Sequence, residues 1–174
     1  MLYIKCQKSL PVESAWVAMP PLRLGKVPAG LGTADLFVTI EDDDTPILRV
    51  DLYADQSPFV NQDALIWGER GFVGFGDTVY IIDPKTQSGS ALRLGSYFAN
   101  FYATEEYLLV ASGCDLLRFS PLGEVLWKIS GLALDGVVVR CIDEGRVTGE
   151  GEWDPSSDRK PFVLRLDSGV RIAE

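Results

Sequence analysis

The chain has 174 residues, 47% of them apolar, and a formal net charge of −9. That size suits one domain, residues 1–174, able to bury about 70% of its unfolded surface, and the apolar content excludes a disordered chain. No histidine is present, which excludes Ser-His-Asp and Cys-His catalysis, imidazole-bound zinc and the ordinary proton shuttle near neutral pH.

The charge is unevenly spread. Residues 1–33 carry Lys5, Lys8, Arg23 and Lys26 against Glu13, a balance of +3, so the remainder stands at −12. An acidic body argues against binding nucleic acid, whose phosphates attract Lys and Arg; it fits a basic protein partner. No apolar run approaches the roughly 18 residues of a membrane span. Pro11 and Glu13 interrupt the start of the chain, so no signal peptide is expected and the expected location is cytoplasmic. Cys6, Cys114 and Cys141 are far apart and odd in number. They read as buried or half-buried free thiols in a reducing compartment, with neither a zinc site nor a disulfide framework.

In chain order, LYIKCQ (2–7) and SAWVAM (14–19) read as strands, and PPLRLGKVPAGLGT (20–33) as a loop or crossover rich in Pro and Gly. ADLFVTIEDDDTPILRVDLYA (34–54) reads as a hairpin with LFVTI and ILRVDLY as its strands. Its EDDDTP turn holds three adjacent aspartates, Asp42, Asp43 and Asp44. Calcium loops space their ligands at alternate positions and include a bending Gly, so a solvated turn is the reading here. Together these N-terminal strands, within residues 1–60, supply one extra sheet that completes the fold.

Three segments then overlay: 63–95, 100–130 and 136–174. Each runs strand, turn, strand, turn, strand, tight turn, short strand. The third strand and its exit anchor the alignment: YIIDPKTQSG at 80–89, LRFSPLGE at 117–124 and LRLDSG at 164–169. A repeat of about 40 residues carrying four strands marks a propeller blade. Val79 and Ile81 point opposite to Tyr80 and Ile82, and apolar residues on both faces imply a sheet covered on both sides. The expected fold is therefore all-β: a partial β-propeller-like arrangement of about three to four blades, each a four-stranded antiparallel sheet. Three blades alone do not close a ring, and an open sheet edge invites pairing with another chain, so a homodimer is a further expectation.

FSPLGEVLWKI (119–129) resembles the end of a quinoprotein or WD40-like propeller repeat. The resemblance implies that Gly123 makes the last turn and that Trp127 docks on the next blade; ALRLG and GVRIAE, its counterparts, lack the Trp. LALDGVVVRCIDEGRVTGEGEWDPSSDRKPFVLRLDSG (132–169) is similar to a tract of an uncharacterised bacterial family that reads LAxDGV, GxGEWDP and PFxLxLxxG. The DPPGGW turn of that family is DPSSDR here. The resemblance implies no activity.

GEGEWDP (149–155) holds the only cluster that suggests a site. In a strand, Glu150, Glu152 and Asp154 share one face, while Val147, Gly149 and Gly151 share the other. Two glycines on one face point to close backbone approach or a bulge. Alternate carboxylates lie at a spacing glycosidases use, but one must have its pKa raised by burial. A cation held by Glu150, Glu152 and Asp135 is the competing chemical reading. The expectation is an acidic contact surface made of Glu150, Glu152, Trp153, Asp154 and Asp135, with no catalytic residue, no metal and no cofactor. GFVGFGD (71–77) is a strand and turn and not a phosphate loop, since no helix follows. Ser112, Gly113 and Cys114 have no base beside them. Lys128, Tyr97, Tyr102 and Tyr107 read as strand-surface residues.

A non-enzymatic protein-interaction module follows, in one version an immunity protein masking a basic toxin. The alternatives are a homo-oligomeric structural protein and an enzyme using carboxylates or a divalent cation.

Overall fold

The computed structural model describes residues 1–54, 61–154 and 158–172, apart from the side chains of Ser14 and Asp154. The chain divides into two compact units, Met1–Arg93 and Leu94–Glu174. Nearly every element is a strand, as the alternation of short apolar runs with Gly, Asp and Pro requires.

The first unit opens with β1 (Leu2–Gln7), a helical turn α1 (Ser14–Ala18), β2 (Leu22–Gly25), β3 (Leu36–Asp42) and β4 (Thr45–Tyr53). These strands form one sheet in the order β1-β3-β4-β2. The 34–54 hairpin forms as expected. Asp43 and Asp44, at φ 45° and 64°, make a two-residue turn between the paired Asp42 and Thr45, the left-handed geometry that joins twisted antiparallel strands. Two expectations for the N-terminus fail. SAWVAM is no strand: its helical turn buries Trp16 while Val17 stays 60% exposed. A segment with one large side chain to bury gains nothing from alternation. The sheet's fourth strand comes instead from the segment expected to be a loop. Leu22–Gly25 pairs with β4 in parallel, so this sheet is mixed. At the end of that strand Gly25 is obligatory, because a Cβ there would sit 2.0 Å from the Tyr53 carbonyl oxygen.

The unit's second sheet is β5 (Gln62–Trp67), β6 (Arg70–Phe75), β7 (Thr78–Asp83) and β8 (Ser88–Arg93), antiparallel in sequence order. Leu36, Val38 and Ile40 pair with Leu52, Val50 and Leu48. These six buried side chains pack with Val73, Phe75, Tyr80 and Ile82 into one core. Val79 and Ile81, on the other face of β7, are buried too, as expected for a blade covered on both sides.

The second unit holds β9 (Phe98–Ala103), β10 (Leu108–Ser112), β11 (Leu116–Phe119) and β12 (Val125–Ile129) as a four-stranded antiparallel sheet. Beside it lie β13 (Val137–Asp143), β14 (Arg146–Asp154) and β15 (Asp158–Arg165). GVRIAE was expected to close the last blade as a fourth strand. Among its described residues it contributes one bridge, Leu164 to Arg171. Leu109, Ala111, Leu116, Val137, Val147, Phe162 and Leu164 form the core between these two sheets. Gly123, at φ 81°, makes the β11–β12 turn. Trp127 is buried in this core and donates its indole N–H to the Leu166 carbonyl at 2.9 Å, so it docks on the following sheet as the repeat resemblance implies.

Candidate functional site

The surface to be tested lies on β14, β15 and the 132–136 loop. Both glycines of β14 sit where backbone must approach. A Cβ at Gly149 would lie 2.4 Å from the Phe162 ring and from the Val138 carbonyl oxygen; at Gly151 it would lie 1.9 Å from the Leu132 carbonyl oxygen. That close approach lets the Glu152 carbonyl accept the N–H groups of Leu134 (2.7 Å) and Asp135 (3.2 Å), and the Glu152 N–H reach Gly136 at 3.0 Å. Register shifts between Val139 and Cys141, and between Glu152 and Asp154, add local twist.

These contacts set Asp135 beside the Glu152 backbone. Arg159 reaches both Glu150 and Glu152, but the carboxylates do not form one cluster. Trp153 meets Lys160, which pairs with Gly151 on the other face. The Glu150 carboxylate accepts hydrogen bonds from Arg140 and from Arg159, the latter at 2.7 Å. Those two guanidinium donors hold its pKa below the ordinary 4.5, the opposite of what a general acid needs. Arg159 lies 3.9 Å from the Glu152 carboxylate. Asp135 accepts the Tyr97 hydroxyl at 2.9 Å. Burial, and then this hydrogen bond, push the Tyr97 phenol up to about 12. The Lys160 ammonium lies 4.9 Å from the centre of the half-buried Trp153 ring, a cation–π contact. The Asp154 side chain, and Pro155 to Ser157 of the following loop, lie outside the described residues. Among the described residues no three carboxylate or thiol groups converge as a cation site.

Several residues read as plain strand surface have definite partners. Lys128 reaches the buried Asp115 carboxylate at 2.8 Å. The Tyr102 hydroxyl accepts the Val139 N–H at 3.2 Å. Ser112 is buried, and its hydroxyl accepts the N–H groups of Cys114 and Asp115; it is a turn residue. The thiols are free, but Cys141 is exposed, contrary to expectation, just beyond the register shift in β13. Cys6 is half-buried, and burial pushes its thiol up to about 12, so it is no nucleophile near neutral pH.

Sequence reasoning missed a second group of residues. Arg118, Glu144, Gly145, Arg146, Arg165, Leu166, Asp167 and Ile172 line a cavity of about 530 Å³ in this unit. Arg146 and Arg165 stand directly opposite each other on β14 and β15. The signal was present in the antiparallel pairing of the two strands, but it could be read only once their register was known.

No protein-family model matches the chain, and no curated protein does. Among solved structures it is similar to BamB from Moraxella catarrhalis, with 12% identity and a TM-score of 0.53 over 82% of this chain and 44% of that one. It is also similar to the Pan2 WD40 domain of Neurospora crassa, with 10% identity and a TM-score of 0.48 over 79% of this chain and 45% of that one. The chain thus spans less than half the length of each. The first likeness shows the fold, a partial β-propeller-like arrangement of blade sheets, and carries no function across.

Proposed function

We propose that the chain is a non-catalytic protein-interaction module whose contact surface is built on the 132–136 loop and β14. One observation carries this reading. Leu134, 65% exposed, donates its N–H to the carbonyl of Glu152, the residue before the half-buried Trp153, and Arg140, Arg159, Lys160 and Tyr97 contact side chains of this strand and loop. Tryptophan, tyrosine and arginine side chains are the ones enriched in binding hot spots. Its carboxylates are engaged by arginine and tyrosine, which suits recognition better than proton transfer.

The finer reading is a cytoplasmic bacterial immunity protein that masks a basic toxin. The net charge of −9 supports it, since an acidic body speeds capture of a basic partner. The test is affinity capture from the native host with the wild-type chain and with a Leu134→Ser, Trp153→Ala variant, at low and at high salt. A partner retained by the wild type and lost by the folded variant supports the module. Release by salt would support the basic-partner reading. Equal capture by both proteins would remove this surface from consideration.

A further inference from the structure

We propose that the cavity lined by Arg118, Arg146 and Arg165 binds the phosphate group of a small phosphorylated molecule. The proposal uses none of the residues of the contact surface described above and stands apart from that reading.

The first argument is charge placed against its own interest. Arg146 and Arg165 are directly paired across β14 and β15, and like charges so placed repel. Two carboxylates, Glu144 and Asp167, line the same cavity. Yet among the described residues Arg118, Arg146 and Arg165 make no ion pair with either carboxylate. In a chain of net charge −9, three guanidiniums that line one cavity without pairing to the carboxylates beside them leave their donors open to an anionic ligand.

The second argument is the state of Arg118. Its Nη1 donates to the Leu166 carbonyl at 2.8 Å, an oxygen that also accepts the Trp127 indole N–H at 2.9 Å. Its Nε is buried with no hydrogen-bond partner. A buried donor without an acceptor is unfavourable, and an oxyanion seated between the arginines supplies that acceptor once the guanidinium turns toward it. The Arg118 stem is meanwhile held by the docked Trp127 and the β15 exit, so the site is partly organised before a ligand arrives.

The third argument is size and chemistry. A volume of about 530 Å³ lies in the range of small-molecule sites, roughly 300–1,000 Å³. Planar guanidinium forks match phosphate oxygens two at a time. One carboxylate satisfies a single fork, whereas a phosphate dianion, with more oxygens and more charge, engages two or three. Glu144 and Asp167 at the lining offer acceptors to hydroxyl-bearing parts of a ligand.

The test is calorimetric titration of the full chain with inorganic phosphate, with pyrophosphate and with citrate, at one fixed ionic strength. Wild type, Arg165→Ala, Arg146→Ala and the remote control Arg93→Ala are compared. The expected result is saturable binding of phosphate and pyrophosphate by wild type and Arg93→Ala, weakened at least tenfold in Arg165→Ala and in Arg146→Ala. Both cavity variants remove a repulsive cross-strand charge, so they are expected to fold, and thermal unfolding checks that they do. No saturable binding by wild type at millimolar phosphate or pyrophosphate overturns the proposal. So does equal binding by all four proteins, or binding of citrate as tight as that of pyrophosphate.

Discussion

The two ends of the β14–β15 pair treat charge in opposite ways. At one end Glu150 meets both Arg140 and Arg159, and Arg159 also lies near Glu152. At the other end Arg146 faces Arg165 across the same ladder, with no ion pair for either among the described residues. The two ends share their strands, so the difference lies in which side chains the pairing brings together. The lesson concerns charge as evidence. The net charge is −9, yet Glu150 and Glu152, the carboxylates of this end, have arginines beside them. At the other end the two charges that face each other are both positive.

Four measurements test that contrast. The largest effect is expected from Trp127→Ala. It empties a core position and removes one of the two donors to the Leu166 carbonyl, and should cost about 4 kcal/mol in a urea titration, while loosening Arg118. At the opposite end, Gly151→Ala would push a methyl into the Leu132 carbonyl and should cost about 3 kcal/mol, again read by urea. If it proved neutral, the close approach that builds the contact surface would be wrong. Arg165→Ala should leave stability unchanged or raise it by about 0.5 kcal/mol, because it ends a like-charge pairing. A clear loss would mean that Arg165 has a structural partner and that the two ends are alike.

The smallest effect is a pH dependence at the carboxylate end. Glu150 has a folded pKa held below its ordinary 4.5 by Arg140 and Arg159. Its contribution is therefore present above the unfolded carboxylate value and fades as pH falls through the lower folded value. Glu150→Gln should flatten the acid limb of stability against pH and leave stability at pH 7 little changed, since exposed ion pairs contribute little. An unchanged acid limb would show that the arginines do not hold this carboxylate in solution.

Where the sequence was legible, a short-range rule applied. The blade segments 63–95 and 100–130 were readable because alternating apolar residues and Gly-containing turns act within a few residues of each other. Gly149 and Gly151 announced close approach for the same reason. SAWVAM misled because six residues with one buried Trp satisfy a strand pattern and a helical turn equally. Leu22–Gly25 was hidden by the Pro and Gly around it, since a four-residue parallel edge strand depends on the distant β4 for all its pairing. Within the candidate site, the sharing of a face by Glu150 and Glu152 was readable. Their capture by Arg140 and Arg159, and the bond from Tyr97 to Asp135, were not.

From the sequence came the all-β class, the blade repeat and the exclusion of imidazole chemistry, consequences of composition and local periodicity, and, as the repeat resemblance implies, the Trp127 docking. The tertiary structure alone decided which charges meet. Pairing register is a long-range property, and it set Arg146 against Arg165 while giving Glu150 two arginines. A charged side chain costs little anywhere on a wet surface until a neighbour is placed within a few ångströms of it, so its partner leaves no mark on the local pattern.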